Sequence, residues 1–66
     1  MKYILKAYDS TGDIYGYYAP HPDGEKLPFY DDDPKNAIVF DCVGDADAMI
    51  ETLENGSELE IIACQV

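Results

Sequence analysis

Only one stretch of this sequence repeats apolar residues at helical spacing, and it is short. Ala46, Met49, Ile50 and Leu53 recur at i, i+3, i+4 and i+7, the pattern of a single buried stripe. Asp45 stands where an N-cap or first-turn residue belongs, and Asp47 also lies near the positive end of the helix dipole. Asn55-Gly56 supplies a left-handed stop. A helix of this length is marginal in isolation, so its stripe must be laid on something else. Nothing else in the chain reads as a helix, which leaves a sheet as the partner.

The rest of the chain reads as strands and turns. Lys2 to Tyr8 (KYILKAY) is dense in Tyr, Ile and Leu, with Tyr3, Leu5 and Ala7 on one face and Ile4, Lys6 and Tyr8 on the other. Asp9 to Asp13 (DSTGD) is a turn, and Ile14 to Ala19 (IYGYYA) is the return strand of a hairpin. Pro20, Pro22, Pro28 and Pro34 then break any regular pattern, so residues 20–36 read as a long proline-rich loop. Asp23-Gly24 marks a tight turn within it, after which Glu25 to Tyr30 allows a minor hairpin. Ala37 to Phe40 (AIVF) is the expected third strand, and Ser57 to Val66 (SELEIIACQV) the last, with Leu59, Ile61 and Ala63 on one face. The expected fold is a single α+β domain over residues 1–66. It has β-β-β-α-β order, with one helix packed on one face of a small antiparallel sheet. The first and last strands, being the most apolar, are expected side by side at the sheet centre. The opposite face is then less fully covered and presents tyrosines.

Size and charge narrow the function. A chain of 66 residues buries only about 60% of the surface its unfolded form exposes, which leaves little room for a deep, dry active site. Its formal net charge of −10 exceeds what solubility asks of a small domain. Such a field disfavours direct binding to nucleic acid or to an anionic membrane, and favours basic protein surfaces. No stretch reaches membrane-spanning length, and no basic-then-apolar leader opens the chain. Cys42 and Cys64 are too few for the disulfide framework of a secreted miniprotein, so the expectation is a cytoplasmic protein with both thiols reduced.

Catalytic and metal motifs do not emerge. His21, the only histidine, lies between two prolines with no triad or ligand spacing around it. No glycine-rich phosphate loop is present. The turn Asp9 to Asp13 lacks the acid spacing and distal glutamate of a calcium loop. Asp31-Asp32-Asp33 reads first as a solvated loop tip, then as a binding element, and least as a metal site. The reading is therefore a non-enzyme without metal or cofactor.

What remains is the arrangement of the carboxylates. At 100° per residue Asp47, Glu51 and Glu54 form one stripe, roughly 120° from the apolar one and about 5 Å apart along the axis. DNA carries a charge about every 3.4 Å of axis per strand, a spacing of the same order. Glu58 and Glu60 extend the line on paper, Asp45 precedes it, and Asp41 and Asp31 to Asp33 border it. No base follows Lys35, although Glu–Lys pairs at i,i+4 would have stabilised a surface helix. Acidic helix faces are also ordinary solvated surfaces. Six tyrosines without a tryptophan add large amphipathic contact area, with Tyr17, Tyr18 and Tyr30 as interface candidates.

Lys35 to Leu53, KNAIVFDCVGDADAMIETL, places Ala and Phe before a helix rich in Ala and acids. In this it resembles small acidic proteins of phages and mobile elements, among them anti-CRISPR proteins of the DNA-mimic type. The resemblance is one of class and transfers no individual residue. It implies an inhibitor in a bacterial host's cytoplasm that covers the DNA-binding site of a basic partner such as a Cas complex subunit. The alternative is a binding module that is no mimic and uses an exposed tyrosine-bearing sheet face or edge.

Overall fold

The computed structural model describes residues 1–66. Strand β1 (Tyr3–Tyr8) turns through Asp9 to Asp13 into β2 (Ile14–Ala19), and β3 (Phe29–Asp31) follows. A single 3-10 turn (Pro34–Asn36), helix α1 (Val43–Glu54) and strand β4 (Glu60–Gln65) complete the chain. All strand pairings are antiparallel, in the order β3-β2-β1-β4, and α1 packs on β4 and β1. The α+β architecture with one helix against an antiparallel sheet is the one the sequence predicts. No helix is long and apolar enough to cross a membrane.

The two faces of β1 separate as their alternation requires. Leu5 and Ala7 join Ala46, Leu53 and Ile61 in the buried cluster beneath the helix. Tyr3, Tyr18, Tyr30, Phe40, Met49, Ile50, Leu59 and Ala63 pack around it. All four residues of the helix stripe thus point into this layer. Ile4 and Ala19 are buried too, yet lie outside that cluster, on the face the helix does not cover.

Two expectations are corrected. The third strand is Phe29–Asp31 rather than Ala37 to Phe40. Cross-strand aromatic packing favours it: Tyr30 pairs with Tyr18 and meets the Tyr15 ring edge-on at 5.4 Å, while Phe29 meets His21 at 5.5 Å. Gly16 permits the close approach, since a Cβ there would lie 2.9 Å from Tyr30 Cβ. Residues 20–36 are therefore not one unstructured loop: the chain runs back after Asp23-Gly24, as the minor hairpin allowed, and β3 pairs with β2 in a register centred on Gly24. Ala37 to Phe40 takes what space remains: Ile38 N–H donates to the Tyr18 carbonyl, and Phe40 exchanges two backbone hydrogen bonds with Tyr3.

The second correction concerns β4. It pairs with β1 as expected but forms the sheet's edge, because the chain holds no further strand for its outer side. The helix begins at Val43 with Cys42 as an N-cap that makes no side-chain bond, so Asp45 lies in the first turn, one of the two places expected for it. Its end is as predicted, with Gly56 in the left-handed region at φ 77°.

Candidate interaction surfaces

The helix displays Asp45, Asp47 and Glu51 to solvent, and none of the three has a hydrogen-bond or ion-pair partner in the chain. The nearest basic pairing is Lys2 Nζ to Asp41 at 3.3 Å, between two well-exposed side chains. Lys6 is held over the Tyr8 ring at 5.4 Å, where hydrogen bonding to Tyr8 raises its pKa. The base-free acidic helix face expected from the sequence is thus present as geometry.

Glu54 differs from its stripe-mates. Its Oε2 accepts a hydrogen bond from the Ile61 N–H at 2.9 Å, closing the start of β4. A residue read as purely solvent-facing is therefore also a structural tie, although it remains exposed. Because the Ile61 N–H points away from β1, Glu54 must reach around the outer edge of β4. Its stripe-mates Glu51 and Asp47 stand on the same flank of the helix, turned further toward solvent. An open, shallow depression lined by Glu51, Thr52, Glu54 and Asn55 lies on the same flank, with no apolar side chain in it.

The other acidic candidates are not brought into this line. Glu58 is exposed in the link between helix and strand. Glu60 pairs with Tyr8, and Tyr8 belongs to the face opposite the helix, so Glu60 leaves the stripe instead of extending it. Asp31, Asp32 and Asp33 stand at the β3 edge, three interstrand steps or about 14 Å from β4. Two of them are engaged locally. Asp31 accepts from the Asp33 N–H at 2.8 Å and from the Asn36 amide, and Asp33 accepts from the Lys35 N–H at 2.9 Å as cap of the 3-10 turn. Only Asp32 accepts no hydrogen bond, and its place at the opposite edge keeps the triad from bordering the helix acids.

The tyrosine candidates also divide. Tyr17 pairs with Lys6 and Asp31 on the bare face. Tyr18 and Tyr30 pair with each other on the helix side and pack against the core, where burial raises the Tyr30 pKa. They are packing residues, and the sequence could not separate them from Tyr17 without the β2–β3 register. That register also reveals neighbours missing from the sequence-based set. Around Tyr17 the bare face carries Tyr8, Ile14 (54% exposed), Phe29 and Ile62 (39% exposed). The alternation within β1, with Ile4, Lys6 and Tyr8 on one side, was the available signal for them. Cys42 and Cys64 are free thiols.

Compared with protein-family models, curated proteins and solved structures, the chain gives no match.

Proposed function

We propose that this protein is an inhibitory interaction module of the DNA-mimic, anti-CRISPR-like type, whose acidic helix face occupies the DNA-binding surface of a basic partner such as a Cas effector subunit. The observation that carries this reading is the free state of the Asp47 and Glu51 carboxylates. They are fixed on a packed helix, exposed, and paired with no cation. Carboxylates left this way act on a cationic groove as phosphates do, displacing its counterions and steering its approach. Glu54 adds charge to the line while tying the helix end to β4.

The test is competition for target-DNA binding by a guide-loaded Cas effector, at low salt, with the double variant Asp47→Asn/Glu51→Gln. This variant keeps the Glu54 tie and so keeps the fold. Loss of competition by about tenfold or more is expected from removing two phosphate-like contacts. Undiminished competition would overturn the reading.

A second reading rests on the sheet face the helix does not cover, where exposed Ile14 and Ile62 lie with half-buried Tyr8, Tyr17 and Phe29 around Lys6. Aromatic and aliphatic groups grouped in this way match the core of a protein interface. A Tyr17→Ser change that abolishes partner binding, with the double acidic variant still active, would select this reading over the mimic.

A further inference from the structure

The outer edge of β4 is the one place where the fold leaves a row of backbone groups unpaired. Val66 N–H donates to the Lys2 carbonyl at 2.8 Å, which sets the phase of the β1–β4 ladder. Bonded pairs alternate along an antiparallel ladder, so Glu60, Ile62 and Cys64 turn their backbone groups toward β1, and Ile61, Ala63 and Gln65 turn theirs outward. The Ile61 N–H is taken by Glu54, whereas the Ala63 and Gln65 N–H groups have no partner in the chain. The opposite edge is protected differently. β3 is only three residues long, and Pro28 and the Asp33-Pro34 turn close it at both ends. No proline, lysine or bulge guards β4.

We infer that this edge accepts an extended segment of the partner as a fifth strand, with Lys or Arg at the alternate positions facing the helix and apolar residues between them. Both halves of that description follow from what flanks the edge. The five-residue link from Glu54 to Glu60 returns the chain along the helix, so β4 runs back beneath α1. A strand added outside β4 therefore lies beside the helix flank that carries Asp47, Glu51 and Glu54, with Glu54 reaching down to the edge itself. Its side chains on that face meet carboxylates, and Lys or Arg satisfies them. Its other face continues the bare side of the sheet beside Ile62 and Cys64, where apolar side chains fit. A second copy of this chain is the wrong occupant. Two molecules of formal charge −10 repel, and pairing through β4 brings two sets of helix acids together. The inference rests on reading the partner as cationic and adds the element of the partner that is grasped.

The test uses the intact protein and a short synthetic peptide of alternating Lys and Val. A second peptide of the same sequence is N-methylated at the residues that would bond to β4. The unmodified peptide is expected to slow amide hydrogen exchange at Ala63 and Gln65. Gln65→Pro removes one outward N–H without touching the β1 ladder and is expected to weaken binding about tenfold, with Gln65→Ala unchanged. Equal binding of the methylated peptide, or unaltered exchange at Ala63 and Gln65, would overturn the proposal. So would concentration-dependent self-association that protects the same amides without peptide. The Asp47→Asn/Glu51→Gln variant leaves every edge backbone group in place. Failure of the mimic therefore shows in DNA competition by that variant, and failure of strand addition in the exchange and Gln65→Pro results.

Discussion

Asp31 to Asp33 and the helix acids Asp47, Glu51 and Glu54 carry similar charge over short distances, yet the fold puts them to different use. At the β3 edge, Asp31 and Asp33 accept backbone hydrogen bonds and hold the 3-10 turn, leaving only Asp32 free. At the β4 edge the proportion reverses: Glu54 ties Ile61, while Asp47 and Glu51 hold nothing. A density of carboxylates in sequence is therefore a poor marker of a binding surface. The carboxylates that accept no hydrogen bond after folding are the informative quantity. Only the helix tract offers two of them side by side on a rigid element.

The sharpest break between the tracts is expected in salt dependence. If Asp47 and Glu51 act as phosphates, the slope of log affinity against log salt for the basic partner should fall by about 2 in Asp47→Asn/Glu51→Gln, one per carboxylate. Neutralising Asp31 and Asp33 should leave that slope unchanged. Equal changes from both pairs would mean that only net charge matters. The next effect is on stability. Glu54→Ala leaves the part-buried Ile61 N–H without its acceptor and should cost about 1–2 kcal/mol in urea unfolding. Glu54→Gln keeps an acceptor oxygen and should recover much of that loss. A Glu54→Ala protein as stable as the parent would show that the tie is not structural.

Much of the fold was legible because local signals and the global arrangement agree. The Ala46, Met49, Ile50 and Leu53 stripe, the Gly56 stop and the alternation of β1 each point to one helix over one sheet face. The third strand was legible only as the return of a minor hairpin over Glu25 to Tyr30. AIVF has better strand composition than FYD, and only the contacts of Tyr30 with Tyr15, Tyr18 and the space at Gly16 decide between them. Such contacts depend on register, which a short loop fixes and the long 20–28 link does not. The site was half legible for the same reason. Helical geometry placed Asp47 and Glu51 correctly, but that Glu54 would reach a β4 amide, and that Glu60 would turn to the other face, required the β1–β4 pairing.

Within the β3 tract the division can be tested residue by residue. Asp33→Ala removes the acceptor for the Lys35 N–H and should cost about 0.5–1 kcal/mol, the usual range for losing a cap. Asp32→Ala removes the same charge but no hydrogen bond, so it should be neutral or slightly stabilising as self-repulsion falls. Chemical denaturation of the two variants side by side checks the pair. Equal stabilities would show that the 3-10 turn draws nothing from its cap.

The smallest effect concerns Asp9, which extends the comparison to a third acidic turn. The Thr11 hydroxyl donates to its carboxylate, as do the Thr11 and Asp13 N–H groups, and this bonding holds its pKa below the ordinary 3.8. A depressed folded-state pKa contributes stability that is present above the unfolded value of 3.8 and is lost as pH falls through the folded one. Protonating the many other carboxylates relieves self-repulsion over the same range, so the parent's melting curve alone mixes two opposing trends. Asp9→Asn keeps an acceptor for the turn but has no proton to bind. The difference in Tm between parent and Asp9→Asn should therefore be constant near neutral pH and shift in favour of the variant below the ordinary aspartate range. Parallel curves down to the acid limit would mean that the turn's hydrogen bonds do not distinguish the charged carboxylate from the neutral acid.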